Sequence, residues 1–470
     1  MSLTIMLNEL KHNLLSMRFV VGLLFVVLVY TGSAILFTTK YLKEKDKDAE
    51  NQQRMQSTLA ENGKNLEDLY DNTYGLSKTQ ELSSFFNTGD ERRFPKAFVI
   101  NPCAPQGGSS QGSMIVSTSG KNYKIENYTD LDLTFIVGIV LSFLVIVLTF
   151  NAISGDREDG ILKQQLSNGV RRTNILIGKY LAVLLTLLII IVVGSLLSMI
   201  IFQIFAGQNV LFRFPGETVF SVATSMAYLS IFIFLGLWIS ASVSKSSTSL
   251  ALLLLIWIFI VVLSPNVGGM LAQRFSPVIS KTEHDAQFQA ILAAHQPPSG
   301  FSDLSKGKGT EEEWKNYEHY EEQMNSSFEQ LITGRFDELL KQAERAEAIC
   351  FFSPYGAFRQ AMEHIASTGL GYHKKFFDAT RRYRTELLQF IQDRDWHDPR
   401  SKHRLASVPD VRSMSNQPVD ALSIPQFTPP ARIPTGEDIF KAMPSIGYLL
   451  LLNIMFFVLA GISVSRMDVR

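Results

Sequence analysis

Only two cysteines stand among 470 residues, only 19% of residues are charged, and neither sign of charge prevails, with 44 Lys and Arg against 44 Asp and Glu. Each scarcity excludes something. Two thiols do not build the disulfide frame of a small secreted scaffold. A formal net charge of zero is not the footprint of a nucleic-acid binder, which needs a basic excess, nor of an acidic disordered chain. Catalytic signatures are missing too. There is no G-x-x-x-x-G-K-[ST] phosphate loop: Gly63-Lys64 is followed by Asn65, and Gly307-Lys308 by Gly309. Neither H-E-x-x-H nor C-x-x-C occurs, so no site for hydrolysing ATP or holding catalytic zinc is recognisable. His284, His295, His319, His364, His373, His397 and His403 share one segment, yet no two lie four residues apart. They read as solvated or packing histidines, and no metal is expected.

The low charge is concentrated in long stretches that have almost none. A bilayer-spanning helix needs about 20 mainly apolar residues, because its backbone must satisfy itself away from water. Six stretches qualify: 19–37, 132–153, 175–205, 219–243, 246–264 and 446–464. The first is too long for a signal peptide and lacks a small-residue cleavage motif after it. The fifth has the shortest strictly apolar run, Leu250–Leu263, and reads as a span or as a re-entrant or buried helix. No ionisable residue lies in the core of any span, which argues against a proton-coupled transporter, an ion pump or an intramembrane enzyme. Gln203 and Asn453 are polar exceptions, expected to hydrogen-bond between helices.

Six spans place both termini on one side, and Lys and Arg in the short loops say which. Lys11 and Arg18 precede the first span. Arg157, Lys163, Arg171, Arg172 and Lys179 follow the second, Lys245 follows the fourth, and Arg466 and Arg470 close the chain. Loop 206–218, on the other side, holds only Arg213. The expectation is a cytoplasmic helix at 1–18, a cytoplasmic loop at 154–174 and a cytoplasmic tail at 465–470. Two long segments, 38–131 and 265–445, then face outward. Neutrality thus conceals opposed signs, with ten basic against five acidic residues on the cytoplasmic side.

Outside the spans, Leu3, Met6, Leu7, Leu10, Leu14 and Met17 recur at helical spacing and predict an amphipathic interface helix. A charged helix is expected over Lys40–Tyr70, an apolar loop near Phe94–Pro105 and a short strand pair at Met114–Ile125. The second outward segment predicts helices over Thr310–Cys350, Tyr355–Ser367 and Tyr372–Asp395. A proline-rich strap, Val408–Pro444, returns the chain to the membrane. Cys103 and Cys350 fall in different outward segments, in a compartment that permits a bridge between them; two separate thiols are the alternative.

The densest charge is in the loop after the second span. Gly155 and Gly160 bracket Asp156, Arg157, Glu158 and Asp159, and a short helix, Ile161–Leu166, follows. Mixed charge on a short rigid element suits docking to a soluble partner. The run Asp156-Arg157-Glu158-Asp159-Gly160-Ile161-Leu162, with Gly178-Lys179 entering the third span, resembles the coupling-helix region of ABC-transporter type-2 (ABC-2) permeases. Ile161 stands where that family usually has Thr. The resemblance extends over the chain: an interface helix, six spans, and a fifth span that opens with Ser246, Ser247 and Thr248 and ends near Trp257 and Pro265. Within the family it is most similar to a subgroup with large outward insertions after the first and fifth spans, among them permeases of gliding-motility machinery and of nitrous-oxide-reductase maturation.

The resemblance implies an all-α polytopic membrane protein of type-2 ABC exporter architecture, sited in the bacterial cytoplasmic membrane. It implies a non-catalytic subunit that binds no cofactor. ATP and Mg are used by a separate cytoplasmic ABC ATPase dimer, on which Asp156, Arg157, Glu158, Asp159, Gly160, Ile161 and Leu162 dock. It also implies pairing with a second copy or a similar permease. An amphipathic or lipid-like cargo suits the apolar spans. The competing expectation is a mechanotransmitter whose outward domains move with no substrate crossing the bilayer.

Overall fold

A computed structural model describes residues 2–62, 65–78, 82–89, 94, 97–103, 131–207, 214–304, 306, 308–406, 412–431 and 436–467. The strand pair expected at Met114–Ile125, Arg213 and the last three residues lie outside these, as do Pro409 and Pro434 of the strap.

Among the described residues, six helices are long and apolar enough to cross a bilayer. They are Met17–Asn62, the helix beginning at Leu133, Arg172–Ala206, Pro215–Ser242, Ser246–Phe275 and Gly436–Arg466, here the first to sixth spans. The protein is therefore the all-α polytopic bundle the sequence predicts. The fourth span is its axis. It packs against the second, third, fifth and sixth, and 72% of its most apolar window is buried, against 11% for the fifth. Small side chains permit this: Ser221, Thr224, Ser225 and Ser240 are buried, and small residues let helix backbones approach closely. Asn453 donates to the carbonyl of Ala227 at 2.8 Å, joining the sixth span to the fourth as expected. Gln203 is instead exposed.

Three spans run further than their apolar stretches. The first continues unbroken to Asn62, 46 residues in all, or roughly 69 Å at 1.5 Å per residue; the predicted charged helix is its upper half. The fifth is a full span that runs on to Phe275, and its extension packs along Glu311–Cys350. The sixth starts at Gly436 and takes Pro444 into its interior, which shortens the expected strap. Before the first span lies the N-terminal helix Ser2–Leu15, packed on the third span. Ser16 marks the break by accepting from the Phe19 amide at 3.2 Å.

The segments after the first and fifth spans form one head rather than two. Leu59, Leu66, Leu69, Tyr70, Tyr74, Leu76 and Ile100 from the first share a core with Tyr383, Leu387, Ile391, Met414 and Ile424 from the second. Strand β1, Tyr74–Ser77, pairs antiparallel with β2, Ala97–Ile100, in a register that sets Tyr74 opposite Ile100. Strand β2 replaces part of the predicted apolar loop; its alternation, with Phe98 and Ile100 buried, is the period of a half-buried strand. Thr310 caps Glu311–Cys350 through a reciprocal capping box with Glu313. Arg412 pins the two segments together. Its side chain is 0% exposed and meets Asp71 at 2.6 Å, the Ala406 carbonyl at 2.9 Å and the face of Tyr70.

A wedge closes the head end of the bundle. Helix Pro354–Ile365 buries Ala357, Phe358, Ala361, Met362 and Ile365 in the main bundle core. Phe358 stacks on Tyr228 with ring centroids 4.4 Å apart. The second and fifth spans carry π-helical stretches, Ile136–Leu141 and Ile258–Leu263, and each meets this wedge. Gly138 in one accepts from Tyr228 at 2.9 Å, and Ile260 in the other accepts from Ser353 at 3.0 Å. A Cβ on Gly138 would lie 2.4 Å from the Tyr355 ring, so only glycine admits the wedge at that depth.

Candidate coupling interface

After the second span the chain makes two short helices, Ser154–Glu158 and Ile161–Ser167. Gly160 joins them at φ +76°, a left-handed conformation that favours glycine. The first helix is tied to the bundle through Ser240, whose hydroxyl accepts from the amides of Ile153 and Ser154 at 3.0 Å each.

The charges that the sequence marks as a docking cluster are mostly spent inside the chain. Asp156 meets Lys179 of the third span at 2.8 Å, and Lys179 also meets Glu9 of the N-terminal helix at 2.6 Å. The Lys179 side chain is only 4% exposed, so this three-way ion pair is the internal tie between interface helix, loop and span. Arg157 donates to the carbonyls of Ala241 at 3.1 Å and Val243 at 3.2 Å. A cation there satisfies the last carbonyls of the fourth span and complements its dipole. Glu158 accepts from the Ser246 amide at 3.0 Å and its hydroxyl at 2.8 Å. The fifth span, whose own Lys245 makes no cap bond, is thus capped by an anion from another element. Arg172 donates to the carbonyls of Val464, Ser465 and Met467 at 3.1, 2.7 and 2.9 Å, closing the sixth span in the same way. The cluster is a clasp that gathers the ends of the spans.

Glu158 stays exposed while it bonds Ser246, and the surface continues past it. Asp159, Gly160 and Ile161 are exposed, as are Lys163, Gln164, Ser167 and Asn168. Leu162 is buried, and Leu166 packs on the same core; together they seat the short helix. Ile161, 42% exposed, is an apolar side chain facing outward beside Lys163 and Gln164. Of the residues marked for docking, Glu158, Asp159, Gly160 and Ile161 are exposed, and Lys163, Gln164 and Asn168 are exposed beside them. Inward Leu162 and Leu166 leave 161, 164 and 168 on the opposite face.

The bridge allowed between Cys103 and Cys350 is not formed; both are thiols. Cys103 sits in the head core, where it accepts from Arg412 at 3.5 Å. Cys350 lies at the end of its helix beside the Pro265 carbonyl. Burial pushes the Cys103 thiol up to about 12. Among the described residues no group of three or more His, Cys, Asp or Glu is arranged to hold a metal ion.

This architecture, six spanning helices clasped at one end and carrying a head at the other, defines a multi-pass membrane transport subunit. Comparison with protein families gives a match to "ABC-2 family transporter protein" over residues 3–469. The chain belongs to that family: it is the permease component of an ABC transporter, a kind of chain that works in the membrane with an ABC ATPase. No curated protein matches it.

Proposed function

We propose that this permease serves an ATP-driven exporter, and that a cytoplasmic ATPase dimer docks on Asp159–Asn168. The observation that supports this most is the division of labour around Gly160. The clasp residues before it join the N-terminal helix and the second to fifth spans, and the short helix after it presents Ile161, Lys163 and Gln164 outward. A push on that helix is passed through Leu162 and the clasp to several spans at once. In this reading the clasp end, rich in Lys and Arg, is cytoplasmic in a bacterial inner membrane. ATP and Mg belong to the partner, and the permease itself carries out no chemistry. Two permeases, identical or similar, pair, and an amphipathic or lipid-like cargo moves outward.

The test is a set of variants at Ile161, Lys163 and Gln164 in the purified chain. Ile161→Asp with Lys163→Glu is expected to abolish co-purification of the ATPase while leaving the fold intact. Retained binding by that double variant would reject the docking surface.

One observation favours a second reading. The first span runs without a break from the membrane into the core of the head, where Leu59 is buried. A rigid helix of this kind carries a tilt of the bundle directly to the head, which suits mechanotransmission with no cargo crossing. Insertion of a flexible Gly-Ser pair after Lys47 separates the two: a mechanotransmitter loses activity, whereas an exporter keeps cargo-stimulated ATP hydrolysis.

A further inference from the structure

The third and sixth spans meet at the clasp end, latched by Arg172 on the terminal carbonyls of the sixth. Beside the latch they part around a groove of about 350 Å³, within the range of about 300–1,000 Å³ that small-molecule sites occupy. Buried Leu176 and Val464 line it, with the more exposed Phe457, Val458 and Ile462. Gly461 also lines it, and a Cβ there would meet nothing within 4 Å. The end of the groove is polar: Thr173, Ser465 and Arg466.

Charge at that end has one sign. Among the described residues no carboxylate lines the groove. The negative end of the sixth helix is already offset, because Arg172 takes its carbonyls. The third helix begins there, with Arg171 as its N-cap, so its leading N–H groups and positive dipole end face the same spot. A guanidinium, a hydroxyl and a positive helix end at the head of an apolar channel between two spanning helices match one ligand class. We propose that this groove holds an anionic phospholipid, its phosphodiester on Arg466 and Thr173 and one acyl chain along Phe457, Val458 and Ile462. A free phosphate would leave the apolar walls in water. Among the described residues of the groove a zwitterionic headgroup finds no carboxylate for its cationic end. Basic pockets between spans have this preference on electrostatic grounds. The proposal requires only that these helices span a bilayer, and it stands apart from the direction of transport.

The test uses the full chain purified in mild detergent and exposed to an equal mixture of phosphatidylglycerol and phosphatidylcholine, with bound lipid read by native mass spectrometry. The wild-type chain is expected to retain phosphatidylglycerol at least about fivefold over phosphatidylcholine. Arg466→Gln removes one cation, with about a fivefold loss of that preference expected, whereas Arg466→Lys keeps it. Gly461→Leu fills the groove and lowers retention of both lipids. A parallel thermal unfolding series with inorganic phosphate is expected to show no protection. Equal retention of the two lipids by the wild-type chain overturns the proposal. So does an unchanged preference in Arg466→Gln, unchanged retention of both lipids in Gly461→Leu, or protection by inorganic phosphate equal to that by phosphatidylglycerol.

Discussion

Lys179 holds Asp156 at 2.8 Å from inside the third span, and this pair fixes the loop after the second span as part of the bundle. Removing the cation leaves Asp156 and Glu9 facing each other with nothing between. Breaking a buried pair by deleting one partner is strongly destabilising. Lys179→Met is therefore expected to lower stability by about 3 kcal/mol, read as thermal unfolding in detergent. The triple variant Glu9→Gln, Lys179→Met, Asp156→Asn is expected to recover most of that loss, since no charge is left unpaired.

The clasp and the docking face separate by mutation. Arg157→Glu with Glu158→Lys puts the wrong sign at the end of the fourth span and the start of the fifth. The lost Arg157 cap is worth about 1 kcal/mol, so a destabilisation of that order is expected, with ATPase binding by the folded fraction intact. Ile161→Asp is expected to do the reverse. Loss of ATPase binding by the Arg157/Glu158 variant at unchanged stability would reassign those residues to the partner surface.

Much of this was legible in the sequence. The six apolar runs, the N-terminal helix and the position of the charged loop all follow from periodicity and composition. What Asp156, Arg157 and Glu158 do was not legible. Their partners are Lys179, the Ala241 and Val243 carbonyls and Ser246, and only tertiary folding brings these near. Mixed charge in a short loop looks the same whether it meets another chain or the ends of its own helices. The shared head was hidden for the same reason, since Asp71 and Arg412 lie 341 residues apart. The wedge reads in sequence as an ordinary amphipathic helix, and nothing local says that its apolar face seats on Gly138 and Tyr228.

Arg412 makes a prediction for the head. Arg412→Leu removes the link to Asp71 and leaves that carboxylate, which is partly exposed, to water. An expected loss of about 2–3 kcal/mol should be local. Protease cleavage in the head should rise while the spans stay protected.

The wedge predicts a different pattern. Phe358→Ala removes a fully buried ring stacked on Tyr228, with about 3–5 kcal/mol of destabilisation expected. Gly138→Leu drives a side chain into Tyr355 and is expected to unseat the helix. Unfolding that stays within about 1 kcal/mol of wild type in both would show that the wedge is not part of the bundle core.

Cys103 ties stability to pH. Burial raises its folded value to about 12, above the ordinary value of about 8.5. A raised thiol value contributes stability that is complete below pH about 8.5 and declines as pH rises toward the folded value. Above pH about 8.5 the wild-type chain should lose stability faster than Cys103→Ala. At neutral pH a maleimide should label Cys103 only after denaturant is added, and a reductant should leave the unfolding temperature unchanged.

In the proposed function the partner ATPase meets the helix after Gly160. A photo-crosslinking residue at Gln164, with a matched one at the exposed Leu422 of the head, tests it in membranes from cells expressing the whole transporter. Capture of a phosphate-loop ATPase from position 164 and not from 422 is the predicted result. Capture from 422, or from neither position while the ATPase still co-purifies, would contradict it.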